Sequence, residues 1–185
     1  MRQKINTMLE KIKSNFVFIA LFAFAVYSIG RYFYKKPDVI NGEVAPKIVS
    51  MQRNGESFDL SSLKGHYVLL DFWGSWCGPC IQEAPQLKAL NTKYLGKKFS
   101  NAEGFNIVSI GIEKDRDRWL SAIEQLGIGD CIHVCDFQYL DSPLAKAYGV
   151  RVIPSKFLLN TEGVIIGVNP SIEDIEKVLD SKVLK

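Results

Sequence analysis

Two cysteines separated by two residues, Cys77 and Cys80, are the side chains in this chain best able to do chemistry, with Gly78 and Pro79 between them and Trp76 in front. A cysteine reacts as its thiolate, and a helix N-terminus favours that form through its unpaired N–H groups and partial positive charge. The pair follows an apolar run, Val68 to Trp73, and precedes a helical pattern, so both sulfurs are expected where a strand hands over to a helix. At this spacing the second sulfur can reach the first. Cys77 can attack a partner's disulfide, and Cys80 can resolve the mixed disulfide that results. Half of a zinc site is the bland alternative, and it needs a second pair. The candidates, Cys131 and Cys135, bracket an expected strand at i and i+4, with their side chains roughly 13 Å apart. At that separation they share neither a metal nor a bond, and they read as small core residues. His66 and His133 each stand alone. No metal is expected.

Two carboxylates lie close to the pair in sequence. Asp71 falls inside the apolar run, six residues before Cys77. A carboxyl buried there has its pKa raised and can take a proton from Cys80. Glu83 follows Cys80 by three residues, one helical turn, and so can face the thiols. Trp76 reads as an aromatic on the contact face, Trp73 as core or contact, and Trp119 as helix packing. The run Glu113 to Arg118 reads as a solvated helix start.

The elements needed to place these residues are legible. A hairpin is expected from 47–51 and 57–60 around Asn54-Gly55. Val68 to Trp73 and Phe105 to Ile112 read as strands buried on both faces. A helix follows the cysteines through Ile81, Ala84, Leu87, Leu90 and Tyr94, with Pro85 expected to kink it. Then come a helix around Trp119, Ile123 and Leu126 capped by Asp115 or Asp117, a strand at 131–135, and a short helix at 144–148. Strands at 155–159 and 164–168 turn at Glu162-Gly163, and a final helix carries Ile172, Ile175, Val178 and Leu179. Alternating strands and helices ending in a hairpin predict a three-layer α/β/α sandwich with an N-terminal β-hairpin.

At 185 residues the chain has room for one domain and an appendage. Residues 14 to 30 carry no charge and are mostly large and apolar, and Tyr32, Phe33 and Tyr34 follow as an interfacial group. This reads as a single transmembrane helix at 16–34, in preference to a cleaved signal peptide, whose apolar region is shorter. Residues 1–15 form a basic N-terminus, 35–46 a linker and 47–185 the folded domain. Lysines and arginines flank the span equally. Ile5, Met8, Leu9 and Ile12, spaced as one face of a basic helix, tip residues 1–15 toward an anionic cytoplasmic leaflet. The net charge of +3 divides into +6 for residues 1–37 and −3 for the rest. A slightly acidic body argues against a nucleic-acid partner.

Val68-Leu69-Leu70-Asp71-Phe72-Trp73-Gly74-Ser75-Trp76-Cys77-Gly78-Pro79-Cys80 resembles the thioredoxin superfamily. Pro85 sits at the family's helix kink, and Gly149 to Ser155 resembles its cis-proline loop. The resemblance spans about residues 45 to 181. It is strongest to the membrane-anchored TlpA-like and ResA-like branch, through the anchor, Ala45-Pro46, Cys80-Ile81-Gln82-Glu83-Ala84-Pro85 and the insert bearing Trp119. It implies a thioredoxin-like thiol–disulfide oxidoreductase with Cys77, Cys80, Asp71 and Glu83 as reacting groups. Trp76, Gly78, Pro79, Ile153 and Pro154 would form the substrate contact. It implies no cofactor beyond the Cys77–Cys80 disulfide, protein dithiol or disulfide substrates, a membrane electron donor, and a catalytic domain periplasmic or extracytoplasmic at the bacterial inner membrane. Carrying both Asp71 and Glu83 departs from that branch, where the strand position is often uncharged. A thiol peroxidase of the peroxiredoxin branch would need Pro-x-x-x-Thr/Ser-x-x before its cysteine, and Gly74-Ser75-Trp76 does not supply it. A non-catalytic adaptor or chaperone commonly lacks one of the two cysteines, and both are present.

Overall fold

The computed structural model describes residues 2–184; the side chains of residues 2–15, Lys35 and Leu140 lie outside that description, and with them the proposed amphipathic face of Ile5, Met8, Leu9 and Ile12. The chain divides into two compact units, residues 1–36 and 37–185. The first is one helix, α1 (Arg2–Lys35). Within it Phe16–Tyr34 forms a 19-residue apolar stretch, a candidate membrane span. At 1.5 Å per residue it is about 28 Å long, close to a bilayer's hydrocarbon thickness.

The second unit opens with a hairpin, β1 (Val49–Met51) and β2 (Ser57–Asp59), antiparallel, with Gly55 at φ +87° closing the turn between them. The chain continues through β3 (His66–Trp73), α2 (Gly78–Tyr94), β4 (Gly104–Gly111), α3 (Arg116–Leu126), β5 (Ile132–Cys135), α4 (Pro143–Ala147), β6 (Ser155–Leu159), β7 (Ile165–Val168) and α5 (Ile172–Asp180). Among the described residues the last five strands form one mixed sheet in the order β5-β4-β3-β6-β7, with β3 parallel to β4 and antiparallel to β6.

Strand alternation sorts β3 between two layers. Tyr67 and Leu69 pack with Leu87, Leu90 and Tyr94 of α2 and Ile175 and Leu179 of α5. Val68, Leu70 and Phe72 pack on the opposite face with Ile48, Phe58, Leu144 and Tyr148. This is the expected three-layer thioredoxin-like arrangement, with β3 buried on both sides. The helix α3 joins the α2 side, where Trp119 and Ile123 pack with Trp73 and Cys80. Its start is capped by Asp115, whose side chain accepts the N–H of Arg118 at 3.0 Å. Trp119 lies so close over β4 that a Cβ on Gly111 would fall 2.7 Å from its indole nitrogen.

Residues 35–46, expected as a linker, are packed on the folded unit from Val39 onward. Gly42 and Ala45 donate their N–H groups to Ile165 and Gly163 at 2.8 and 2.9 Å. The Tyr148 hydroxyl donates to the Pro46 carbonyl at 2.7 Å. The edge strand β7 and its turn leave backbone groups open, and this segment satisfies them. The helix α2 continues through Pro85 as a single element.

Candidate active site

The motif lies where β3 ends and α2 begins, the handover predicted from its flanks. Cys77 and Cys80 are joined as a disulfide with their Cα atoms 5.3 Å apart, within the range such a bond requires. Cys77 is the N-cap of α2 and its sulfur accepts the N–H of Cys80 at 3.3 Å. The first turn therefore offers backbone donors to a sulfur carrying negative charge. Both cysteines are buried, whereas Gly78, Pro79 and Trp76 are exposed around them.

The loop before the motif is held by residues from the far side of β4. Trp76 donates its indole N–H to the Ile112 carbonyl at 2.8 Å and packs tilted against Tyr139 with ring centroids 5.1 Å apart. Gly74 gives the indole room, since a Cβ there would lie 2.7 Å from its nitrogen. Glu113 is buried, and its carboxylate accepts the N–H of Ser75. Reading Glu113 with the solvated helix start is therefore corrected. Lys114 to Arg118 are exposed as expected, but Glu113 continues the buried run of β4 and pins the approach to Cys77.

Opposite the motif, the Ile153–Pro154 bond is cis. Ile153 is half-buried and packs against the cluster that contains Cys77, Cys80 and Ala84. Residues distant in sequence thus share one rim, because β6 lies beside β3 in the sheet.

Asp71 and Glu83 both feel the charge of one lysine that was not identified from sequence. Lys156 of β6 lies directly opposite Asp71 of β3 in antiparallel register. Its ammonium donates to Glu83 of α2 at 2.5 Å, with side chains only 9% and 22% exposed. Asp71 is buried, and burial pushes its carboxyl up to about 7; nearby Lys156 pulls it down and Glu83 pushes it further up. One oxygen of Asp71 and one of Glu83 are buried without a hydrogen-bond partner. An acid near 7 can both accept and release a proton at neutral pH.

The other sequence candidates take structural places. Cys135 is buried and donates its thiol to the Gly111 carbonyl at 3.2 Å, while Cys131 is half-buried before β5. Burial pushes both thiols up to about 12, leaving them neutral and unreactive. His133 is buried against the Ile128 carbonyl at 2.8 Å, and burial pulls it down to about 4.

Residues 40–182 match the Redoxin family model. The chain belongs to the Redoxin family. Among curated relatives it is similar to the thiol-disulfide oxidoreductase ResA of Bacillus subtilis (strain 168), 30% identical over 82% of this chain and 78% of that protein. A ResA of Geobacillus kaustophilus is 31% identical over 89% of this chain and 90% of that one. Among solved structures, a thiol-disulfide oxidoreductase from Bacteroides fragilis superposes with TM-score 0.67 at 30% identity, covering 75% of this chain and 98% of that chain. The thioredoxin domain of a thiol-disulfide oxidoreductase from Bacteroides vulgatus gives 0.68 at 26%, covering 78% and 98%. This Redoxin protein is thus a thioredoxin-like thiol–disulfide oxidoreductase of the ResA-like kind, with Cys77 and Cys80 at bonding distance.

Proposed function

We propose that this chain reduces disulfides of other proteins outside the cytoplasmic membrane. It is tethered there by residues 16–34, with residues 1–15 on the cytoplasmic side and the catalytic domain extracytoplasmic. The thiolate of Cys77 attacks a substrate sulfur, breaks the substrate S–S bond and releases one substrate thiolate, which takes a proton from solvent. Cys80 then gives its proton to Asp71 and attacks the Cys77 sulfur, releasing the second thiol and leaving the Cys77–Cys80 disulfide. Two electrons pass to the substrate, and a dithiol donor at the membrane returns them. The reaction needs no cofactor beyond the cysteine pair. Substrate backbone would lie along Ile153 at cis-Pro154, with Trp76, Gly78 and Pro79 completing the contact.

The observation that carries this reading is the exposed rim of Trp76, Gly78, Pro79 and half-buried Ile153 around a buried redox pair, in a chain bearing an apolar helix of membrane length. Gly-Pro between the cysteines favours the reducing direction. A membrane-impermeant maleimide applied to intact cells tests side and state together. Cys77 is expected to be labelled without lysis and without added reductant. Labelling that requires lysis would place the domain inside, and labelling that requires prior reduction would mark an oxidant.

A further inference from the structure

We propose that Lys156 is a positioning residue of the thiol–disulfide reaction: clamped by Glu83, its ammonium sets how readily Asp71 takes the proton of Cys80. The proposal rests on Asp71 being that proton acceptor.

The geometry leaves Lys156 few other uses. Its side chain is 9% exposed, on a strand whose five residues are all buried. A buried ammonium needs a counter-charge. Two acids face it from different elements: Asp71 in the opposing register position of β3, and Glu83 from α2 at 2.5 Å. Its backbone is fixed from the other side as well. The Lys156 N–H donates to the Asn169 side chain at 2.8 Å, and the Asn169 N–H donates to the Lys156 carbonyl at 2.7 Å. These bonds fix where the Lys156 side chain starts, and the pair with Glu83 sets where its ammonium ends.

The three charges act on one proton. Burial alone would keep Asp71 protonated and useless as an acceptor. Lys156 favours its carboxylate, and Glu83 opposes that by its own charge and by holding the ammonium. The other groups around Asp71 are neutral. Ser109 lies opposite it on β4, and Cys131, which feels its charge from before β5, is a thiol pushed up to about 12. Cys80, the proton's source, sits one helical turn before Glu83 on α2, whose buried face packs on the same side of β3 as Asp71.

A bridge that merely tied β6 to α2 would make either partner's loss look alike. A bridge that tunes Asp71 gives opposite signs. Lys156→Met removes a charge that favours the carboxylate, so the carboxyl should rise. Glu83→Gln removes an opposing charge and frees the ammonium toward Asp71, so the carboxyl should fall.

The test uses the full chain in detergent, reduced, in single turnover with a peptide disulfide. The readout is release of the second thiol, the step made by Cys80, between pH 5 and 9. The wild-type inflection should move alkaline by about one pH unit in Lys156→Met and acid in Glu83→Gln. Lys156→Arg, keeping the charge, should restore it. Should Lys156→Met not fold, Lys156→Gln and Glu83→Gln decide the signs. Asp71→Asn should abolish the inflection. If it does, while the Lys156 and Glu83 variants shift together or not at all, the role of Lys156 is overturned and Asp71 stands as acceptor. If Asp71→Asn keeps the inflection, the acceptor reading itself fails.

Discussion

Cys80→Ser is expected to turn the enzyme into a trap. Cys77 keeps its place at the N-cap of α2, where backbone donors favour its thiolate, so it still attacks a substrate disulfide. The mixed disulfide then has no internal thiol to break it. Cys131 and Cys135 cannot substitute, because burial pushes both thiols up to about 12. Turnover should drop by at least about three orders of magnitude, as expected when a covalent mechanism loses a reacting group. A covalent adduct should accumulate on a non-reducing gel and vanish with dithiothreitol. Cys77→Ser should lose the same turnover and form no adduct. An adduct on the Cys77→Ser protein instead would reverse the roles of the two sulfurs.

The second large effect concerns Asp71, and it touches both rate and stability. Without a proton acceptor the Cys80 step should slow by about 100-fold near neutral pH in Asp71→Asn, the lower end of what a positioned acid or base contributes. Stability should move the other way. The folded carboxyl titrates near 7, against 3.8 when exposed, so the folded state holds its proton more tightly than the unfolded chain. Below pH 4 both states are protonated and the acid costs nothing. Between pH 4 and 7 only the unfolded chain gives up its proton, and stability falls as pH rises. The loss integrates to about 4 kcal/mol by pH 8, an upper figure because buried sites relax. The amide introduced by Asp71→Asn cannot ionise, so this part of the slope should be missing from the variant. Urea unfolding of both proteins from pH 4 to 8 reads the difference directly. The variant should gain on wild type as pH rises, and parallel curves would mean that Asp71 is not buried as a reluctant acid.

Much of this site was legible because its chemistry is local in sequence. The Cys77–Cys80 spacing, the apolar run before it and the helical pattern after it specify a strand-to-helix junction without further information. The apolar strands were visible as continuous runs, since both faces of β3 and β4 are covered. Lys156 was not legible in the same way. Ser155-Lys156-Phe157-Leu158-Leu159 scans as a strand with two polar residues at its start, and nothing local names the partners of Lys156, which come from β3 and α2. A signal did exist. A lysine inside a buried strand that follows a cis-proline loop must find a counter-charge, and Asp71 was already marked as a buried acid.

Glu113 escaped for a related reason. It opens a run of six alternating charges, and the run as a whole does face solvent. Counted instead from the strand, Ile112 and Glu113 extend the buried stretch of β4, and their carbonyl and carboxylate reach Trp76 and Ser75. The segment at 35–46 looked like a linker because it is short, polar and rich in turn residues. It packs because the edge strand β7 and its turn leave backbone groups open, a requirement set by the sheet and invisible in the segment itself.

On the proposed function, Cys77 and Cys80 form a reversible redox couple poised to donate electrons. Equilibrating the full chain in detergent against a dithiothreitol redox series, with alkylation of free thiols as readout, tests it most directly. A two-electron transition below about −230 mV is predicted. A potential above about −180 mV would contradict the reducing role, and the absence of any reversible Cys77–Cys80 disulfide would contradict the account as a whole.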